Sequence, residues 1–196
     1  MFQTLVVALV LSRLDYGNAN ATLVGLPANL LKRLQSVLKV SARSVAGLRR
    51  SDHITDTLAS FHWLRAPERI KFKLAVIVYR AVQGTAPRYL SDRLHRVSDI
   101  TSRRRLRSST SPELVIPLSR LVTVGDRSFA VAGPRLWNTL RLWNTLPEDI
   151  TSAPSLLVFQ RKMKTHLFRQ SYPDIVYCSF VACCARCSLK FLLRPP

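Results

Sequence analysis

The residues that could carry out catalysis are few and scattered in this sequence. Eleven Asp and Glu residues occur among 196, and only Glu148 and Asp149 are adjacent. Because a two-metal phosphoryl-transfer site needs several converging carboxylates, this distribution argues against a complete polymerase or nuclease site. The six glycines never come closer than eight positions, which excludes a Walker loop and a dinucleotide fingerprint. We therefore expect a chain that is not an enzyme on its own and uses no cofactor.

Metal-ligating residues collect near the carboxyl terminus. Cys184 and Cys187 have the short spacing of one half of a zinc site, and Cys178 and His166 are conceivable further ligands. However, Cys183 is directly adjacent to Cys184 and the surrounding residues are apolar, whereas a convincing zinc site has two cysteine pairs at recognised spacing. This pattern favours incidental cysteines, and we predict no metal site.

The charge balance is the unusual feature of the composition. Thirty Lys and Arg residues face eleven acids, so the formal net charge is +19 and the isoelectric point is near 11.1. Arginine accounts for 23 of the cations, and its planar guanidinium suits phosphate better than the point charge of lysine does. A surface this basic indicates a partner that is a nucleic acid or an anionic lipid surface.

Three groups of cations are candidate phosphate contacts. One lies in a Ser-, Thr- and Arg-rich stretch at 99–111 without periodicity, which predicts an exposed loop. One lies at the start of the most apolar helical segment, and one lies off the apolar stripe of an earlier helix. For each group the alternative is a solvated surface that only aids solubility. The loop group is Arg103, Arg104, Arg105 and Arg107. The group at the start of the apolar helix is Arg69, Lys71 and Lys73, and the group on the earlier helix is Lys32, Arg33, Lys39 and Arg43.

Helical periodicity dominates the first half of the chain, 1–98. It predicts helices over 2–14, from Pro27 to Gly47, over 51–60 and over 68–82, then a short basic helix over 88–96. We expect a turn at 15–18. The apolar run 1–11 is too short to span a bilayer and lacks the basic start of a secretory signal, so it is expected to be a core helix in an intracellular protein.

The second half, 112–172, is less regular. Apolar β-branched residues at 114–117 and 121–126 predict two short strands, 128–132 is either strand or short helix, and 155–169 is helical with Ser155 as N-cap. The predicted fold class is therefore mainly α with a small irregular α+β C-terminal half. The predicted organisation is a helical region 1–98, a basic loop 99–111, a mixed subdomain 112–172 and a Cys-rich apolar tail 173–196.

A six-residue segment is duplicated in tandem. Residues 135–140 read RLWNTL, and 141–146 repeat the same letters. The unit is far too short for a solenoid repeat. Because insertions in loops cost little, about 1 kcal/mol or less for loop closure, we expect one copy to be extruded as a loop.

Several segments in the same order resemble one family. They are similar to the region just beyond the catalytic palm of reverse transcriptases from non-LTR retrotransposons (LINE elements) of the jockey-like and chicken-repeat-like kind. The similarity covers roughly residues 5–170. The segments are SRLDYGN at 12–18, GLP at 25–27, DHIT at 52–55, HWL at 62–64, RIKFK at 69–73, APRYLSD at 86–92, GDRSF at 125–129, GPRLWN at 133–138 and KTHLF at 164–168.

The resemblance implies a helical, thumb-like, truncated C-terminal region of an RNA-directed DNA polymerase. No Asp-Asp pair occurs in this sequence, and the family's palm and endonuclease precede the matching segments. The function implied is noncatalytic binding of RNA or an RNA–DNA hybrid through phosphate contacts. The duplication, and Gly17 where relatives have Cys, are typical of a decayed copy without function. The alternative is a basic amphipathic protein that adheres to anionic membrane surfaces.

Overall fold

A computed structural model of the chain describes residues 2–18, 23–100, 113–121, 124–142 and 153–173. These residues form a mainly helical fold, as the sequence predicts, and the described ranges contain no β-strand. A π turn, Val7–Leu11, joins the first two helices, and a 3₁₀ turn spans Val97–Asp99. The helices are α1 Phe2–Val6, α2 Ser12–Asn18, α3 Ala28–Ala46, α4 Thr55–Ser60, α5 Ala66–Val82, α6 Arg88–Ser91, α7 Phe129–Leu142 and α8 Leu156–Ser171.

Helix α5 lies at the centre of the fold. Pro67 occupies its first turn, where the missing N–H is not needed, and Glu68 in the same turn complements the helix dipole. The peptide N–H of Ala66 donates to Oε1 of Gln35 on α3 at 2.8 Å, which satisfies one of the free donors at the helix start. Helices α2, α3, α7 and α8 all pack against α5, so most of its surface is buried, as its apolar spacing predicts.

Helix α8 packs on α5 through an aromatic contact. Phe159 stacks on Tyr79 with ring centroids 4.3 Å apart, and Trp137 of α7 lies 6.1 Å from the same Phe159 ring. The Tyr79 hydroxyl donates to the carbonyl of Ala153 at 2.7 Å. The helices of 1–98 and of 112–172 therefore share one hydrophobic core.

Helix α3 begins and ends where the sequence predicts. Pro27 precedes it in extended conformation, and Gly47 ends it with φ +65°, a left-handed conformation that glycine adopts without strain. Leu38 and Ala42 are almost fully buried against the core. The opposite face of the helix is open to solvent.

Helix α7 approaches α5 at a glycine. A Cβ atom added to Gly133 would lie 3.1 Å from Cγ2 of Val78, which is itself fully buried. The absent side chain thus allows close packing of the two helices. The first copy of the duplicated segment, 135–140, lies inside α7, and of the second copy only 141–142 is described. The expected loop extrusion therefore lies outside the described residues.

Several predicted elements are wrong. The turn predicted at 15–18 is helical, because Leu14 packs on the core and a glycine inside a helix costs only about 1 kcal/mol. The basic helix predicted over 88–96 ends at Ser91. At 128–132, where the sequence allowed either a strand or a short helix, the structure has the start of α7.

The two predicted strands are also not formed within the described residues. Leu114 makes one isolated antiparallel bridge with Arg96, flanked by two hydrogen bonds, from Val97 N–H to the Glu113 carbonyl and from Val115 N–H to the His95 carbonyl. On its other side the peptide group of Leu114 is bound by a side chain of α7. Residues 124–127 form a turn. A strand needs consecutive bridges to its partner, and here the pairing ends after one bridge, while a helix covers the other side of Leu114.

Candidate nucleic-acid interface

The exposed face of α3 carries a row of cations. Lys32, Lys39 and Arg43 are seven and four residues apart, so they lie along one side of the helix. Lys32 and Lys39 are exposed, whereas Arg43 is half-buried, and its Nη2 donates to the carbonyl of Asp52 at 3.4 Å. Over residues 28–51 the sequence has six cations and no acid. We call this side of α3 the basic face.

Arg33 lies beside the basic face rather than on it. It is exposed and about 100° around the helix from Lys32. Its neighbours on that side are Val37 and Val40, which are 45% and 58% exposed. This strip of α3 is therefore amphipathic, with one cation among aliphatic side chains.

Arg69 does not reach the surface. It is only 4% exposed, and it lines a small gap together with Leu14, Leu34 and Leu38. The expectation that Arg69 is exposed is therefore wrong, whereas its role as a phosphate contact stays a prediction. The reason is that α2 and α3 pack over the first turns of α5, a tertiary contact that the periodicity of α5 alone does not reveal.

Lys71 and Lys73 lie on different sides of α5, because residues two apart on a helix are about 200° apart. Both are half-buried. Lys71 lines a cleft against α7, and Lys73 makes an interaction within the protein. The three cations predicted at the start of α5 therefore do not form one surface.

The other predicted contacts lie outside the described residues. They are the four arginines of the 99–111 loop, Arg103, Arg104, Arg105 and Arg107. The four cysteines of the tail are likewise undescribed. Of the conceivable zinc ligands only His166 is described, on α8, and burial together with the nearby Arg169 cation lowers its pKa.

A second group of exposed cations, which the prediction omitted, surrounds the C-terminal end of α5. Arg80 Nη2 donates to the carbonyl of Thr85 and Arg96 Nη2 donates to that of Val82, each at 3.5 Å, while Arg88 and Arg93 are exposed nearby in sequence. Cations are favoured at a helix C-terminus by the helix dipole. The sequence signal for this group is the placement of arginines on both sides of the 84–87 turn.

One buried phenol fixes the end of α8 beneath the start of α5. Tyr172 is 2% exposed, and its hydroxyl donates to the carbonyl of Trp63 at 2.8 Å. Burial raises the pKa of Tyr172 to about 12, although the cation of Arg65, 5.1 Å from the ring centroid, partly opposes this shift. The contact therefore joins the C-terminal end of α8 to the segment that precedes α5.

Three further findings concern metal clusters, membrane-spanning helices and similarity to known proteins. Within the described ranges no cluster of three His, Cys, Asp or Glu side chains could hold a metal ion. Of the helices described, none is long and apolar enough to cross a membrane. Searches against protein families, curated proteins and solved structures find no match to this chain.

Proposed function

We propose that the chain is a noncatalytic nucleic-acid-binding module that grips RNA or an RNA–DNA hybrid through phosphate contacts. Its parentage in this proposal is the thumb-like, C-terminal region of a non-LTR retrotransposon reverse transcriptase, on the strength of the ordered sequence segments. The observation that carries the binding proposal is the basic face of α3, within a stretch of six cations and no acid.

The geometry of the basic face suits a phosphate backbone. Helix α3 has 19 residues, so it is about 28 Å long, and Lys32 and Lys39 are about 10 Å apart along its axis. Such a row can follow several phosphates of one strand. Phosphate contacts fix position and carry little sequence information, so we expect weak sequence preference and strong salt dependence.

A second candidate function is adhesion to an anionic membrane surface. The observation that favours it is the amphipathic strip of Arg33, Val37 and Val40. An interfacial helix buries aliphatic side chains at the headgroup boundary while its cations meet lipid phosphates. Nucleic acid offers phosphates without an apolar layer. The two valines should therefore contribute to membrane binding but not to RNA binding.

The test is the salt dependence of RNA binding, measured by fluorescence anisotropy with a labelled single-stranded RNA. Each lost phosphate contact should flatten the slope of log affinity against log salt by about 0.7 on a single strand. We expect K32A/K39A to flatten it by about 1.4. The matched control is R120A/R161A, which removes two exposed cations elsewhere and should leave the slope nearly unchanged if they make no contact.

The loop arginines form a second arm of the experiment. Replacing Arg103, Arg104, Arg105 and Arg107 together with Ala should flatten the slope by up to about 3 if each makes a contact. Unchanged slopes in both the loop and the α3 variants would reject the proposal. Flotation with anionic vesicles, lost in V37S/V40S while RNA binding stays weak, would instead establish the membrane function.

A further inference from the structure

A cleft of about 630 Å³ lies between the 23–26 segment, α5 and α7. Its floor is aliphatic and is formed by Ile70 and Leu74 of α5 and by Ala132 and Leu136 of α7. The volume is within the range of about 300–1,000 Å³ that ligand sites occupy. The cleft is distinct from the basic face, because neither Lys32 nor Lys39 lines it.

The polar groups at the edge of the cleft are mainly cations. Lys71, Arg127 and Arg135 line it together with one acid, Asp126. Arg135 Nη2 lies 3.4 Å from Oδ1 of Asp126, so this pair is mutually compensated. Among the described residues no carboxylate pairs with Lys71 or Arg127. The described residues of the rim therefore carry a net charge of +2 around an apolar floor.

The shape and lining of the cleft select among ligand classes. The cleft is open to solvent along one side, whereas sites for small apolar ligands bury most of the ligand surface. None of the described residues that line it is aromatic, so these residues do not offer the aromatic stacking on which single-stranded bases are usually held. An open aliphatic groove between helices is typical of sites for an amphipathic helix.

We propose that this cleft binds an acidic amphipathic helix of a partner protein. The apolar side chains of the bound helix, spaced three or four residues apart, lie on the aliphatic floor. Its carboxylates meet Lys71 and Arg127 at the rim, where charge complementarity sets orientation and association rate. This interaction goes beyond phosphate binding, since it uses a different surface and needs an apolar face on the ligand.

Thr139 provides a way to block the cleft with little effect on folding. It lines the cleft, it is exposed on α7, and its side chain donates only to the Arg135 carbonyl one turn earlier, at 2.7 Å. A tryptophan at this position would occupy the groove. Its matched control is Ser36→Trp, which places the same ring on the exposed side of α3.

The probe is a fluorescein-labelled synthetic helix with leucines at every third or fourth position and glutamates on the opposite side. We expect it to bind the full chain and to lose at least about tenfold in affinity with T139W and with K71E/R127E. S36W and R88E/R93E, which reverses two exposed cations away from the cleft, should stay within about twofold. Circular dichroism and thermal midpoints of the variants confirm that each is folded.

Three results would overturn the proposal. The first is equal binding of a peptide with the same composition in permuted order, because charge alone would then explain binding. The second is wild-type affinity in both T139W and K71E/R127E. The third is a loss of RNA affinity in T139W as large as its loss of peptide affinity, which would make the cleft part of a nucleic-acid surface.

Discussion

The side chain of Asn138 binds the backbone of Leu114, which forms an isolated antiparallel bridge with Arg96. Its Oδ1 accepts from the N–H of Leu114 at 2.9 Å, and its Nδ2 donates to the carbonyl of Leu114 at 2.8 Å. Both residues are buried, at 8% and 2% exposure. The amide of Asn138 thus takes the place of a neighbouring strand, because it hydrogen-bonds both the N–H and the carbonyl of Leu114.

The substitution Asn138→Ala removes both hydrogen bonds and leaves two buried peptide groups without these partners. Each unsatisfied group costs about 1–3 kcal/mol, and water entering the vacated space offsets part of that cost. We therefore expect the free energy of unfolding to fall by about 2–4 kcal/mol. For a chain of this size the thermal midpoint should fall by about 10 °C.

The assay is urea unfolding followed by circular dichroism at 222 nm, with the duplicated segment as an internal control. Asn144 is the residue of the second copy that corresponds to Asn138, and N144A should leave stability within about 0.5 kcal/mol of wild type. Asn138→Asp should be at least as harmful as Ala at neutral pH, since a carboxylate cannot donate to the Leu114 carbonyl. Acidification should partly restore the stability of N138D, because a neutral carboxyl group can donate to the Leu114 carbonyl.

The reasoning would be refuted if N144A destabilised the chain by several kcal/mol and N138A did not. That result would mean that the second copy of the repeat, rather than the first, binds Leu114. Equal small effects of both substitutions would show that the hydrogen bonds to Leu114 contribute little.

The remaining predictions concern burial and backbone conformation. Because the pKa of Tyr172 is raised from 10.0 to about 12, its neutral phenol stabilises the fold below pH 10, and this stability is lost as pH rises from 10 towards 12. Stability measured across that range should fall more steeply in wild type than in Y172F. Phe159→Ala should lower the free energy of unfolding, measured in urea, by about 3–5 kcal/mol. Leu157→Ala, on the exposed side of α8, should lower it only slightly. Equal effects of the two substitutions would contradict the packing described. Gly47→Ala should lower the free energy of unfolding by about 1 kcal/mol, because alanine is strained in the left-handed backbone conformation of this position. No steric clash adds to this cost, since no atom lies within 4 Å of the added Cβ. A variant more stable than wild type would contradict the left-handed conformation.

The sequence alone determined the elements whose apolar residues repeat with helical period and whose ends carry recognisable caps. Helices α3, α5 and α8 are of this kind, with Gly47 and Ser155 at the positions where the sequence placed them; Ser155 Oγ accepts from the N–H of Val158. The exposure of Lys32 and Lys39 followed from the same periodicity. Local chemistry suffices here because caps and faces depend on residues within one or two turns.

Only the tertiary structure decided which cations remain at the surface and which residues pair. Arg69 has the sequence context of an exposed helix start, yet α2 and α3 cover it. The β-branched residues near Leu114 predict a strand, yet their second partner is the side chain of Asn138, 24 residues away. The cleft, likewise, is formed by residues far apart in sequence. These features depend on long-range contacts, which the period of a single segment does not encode.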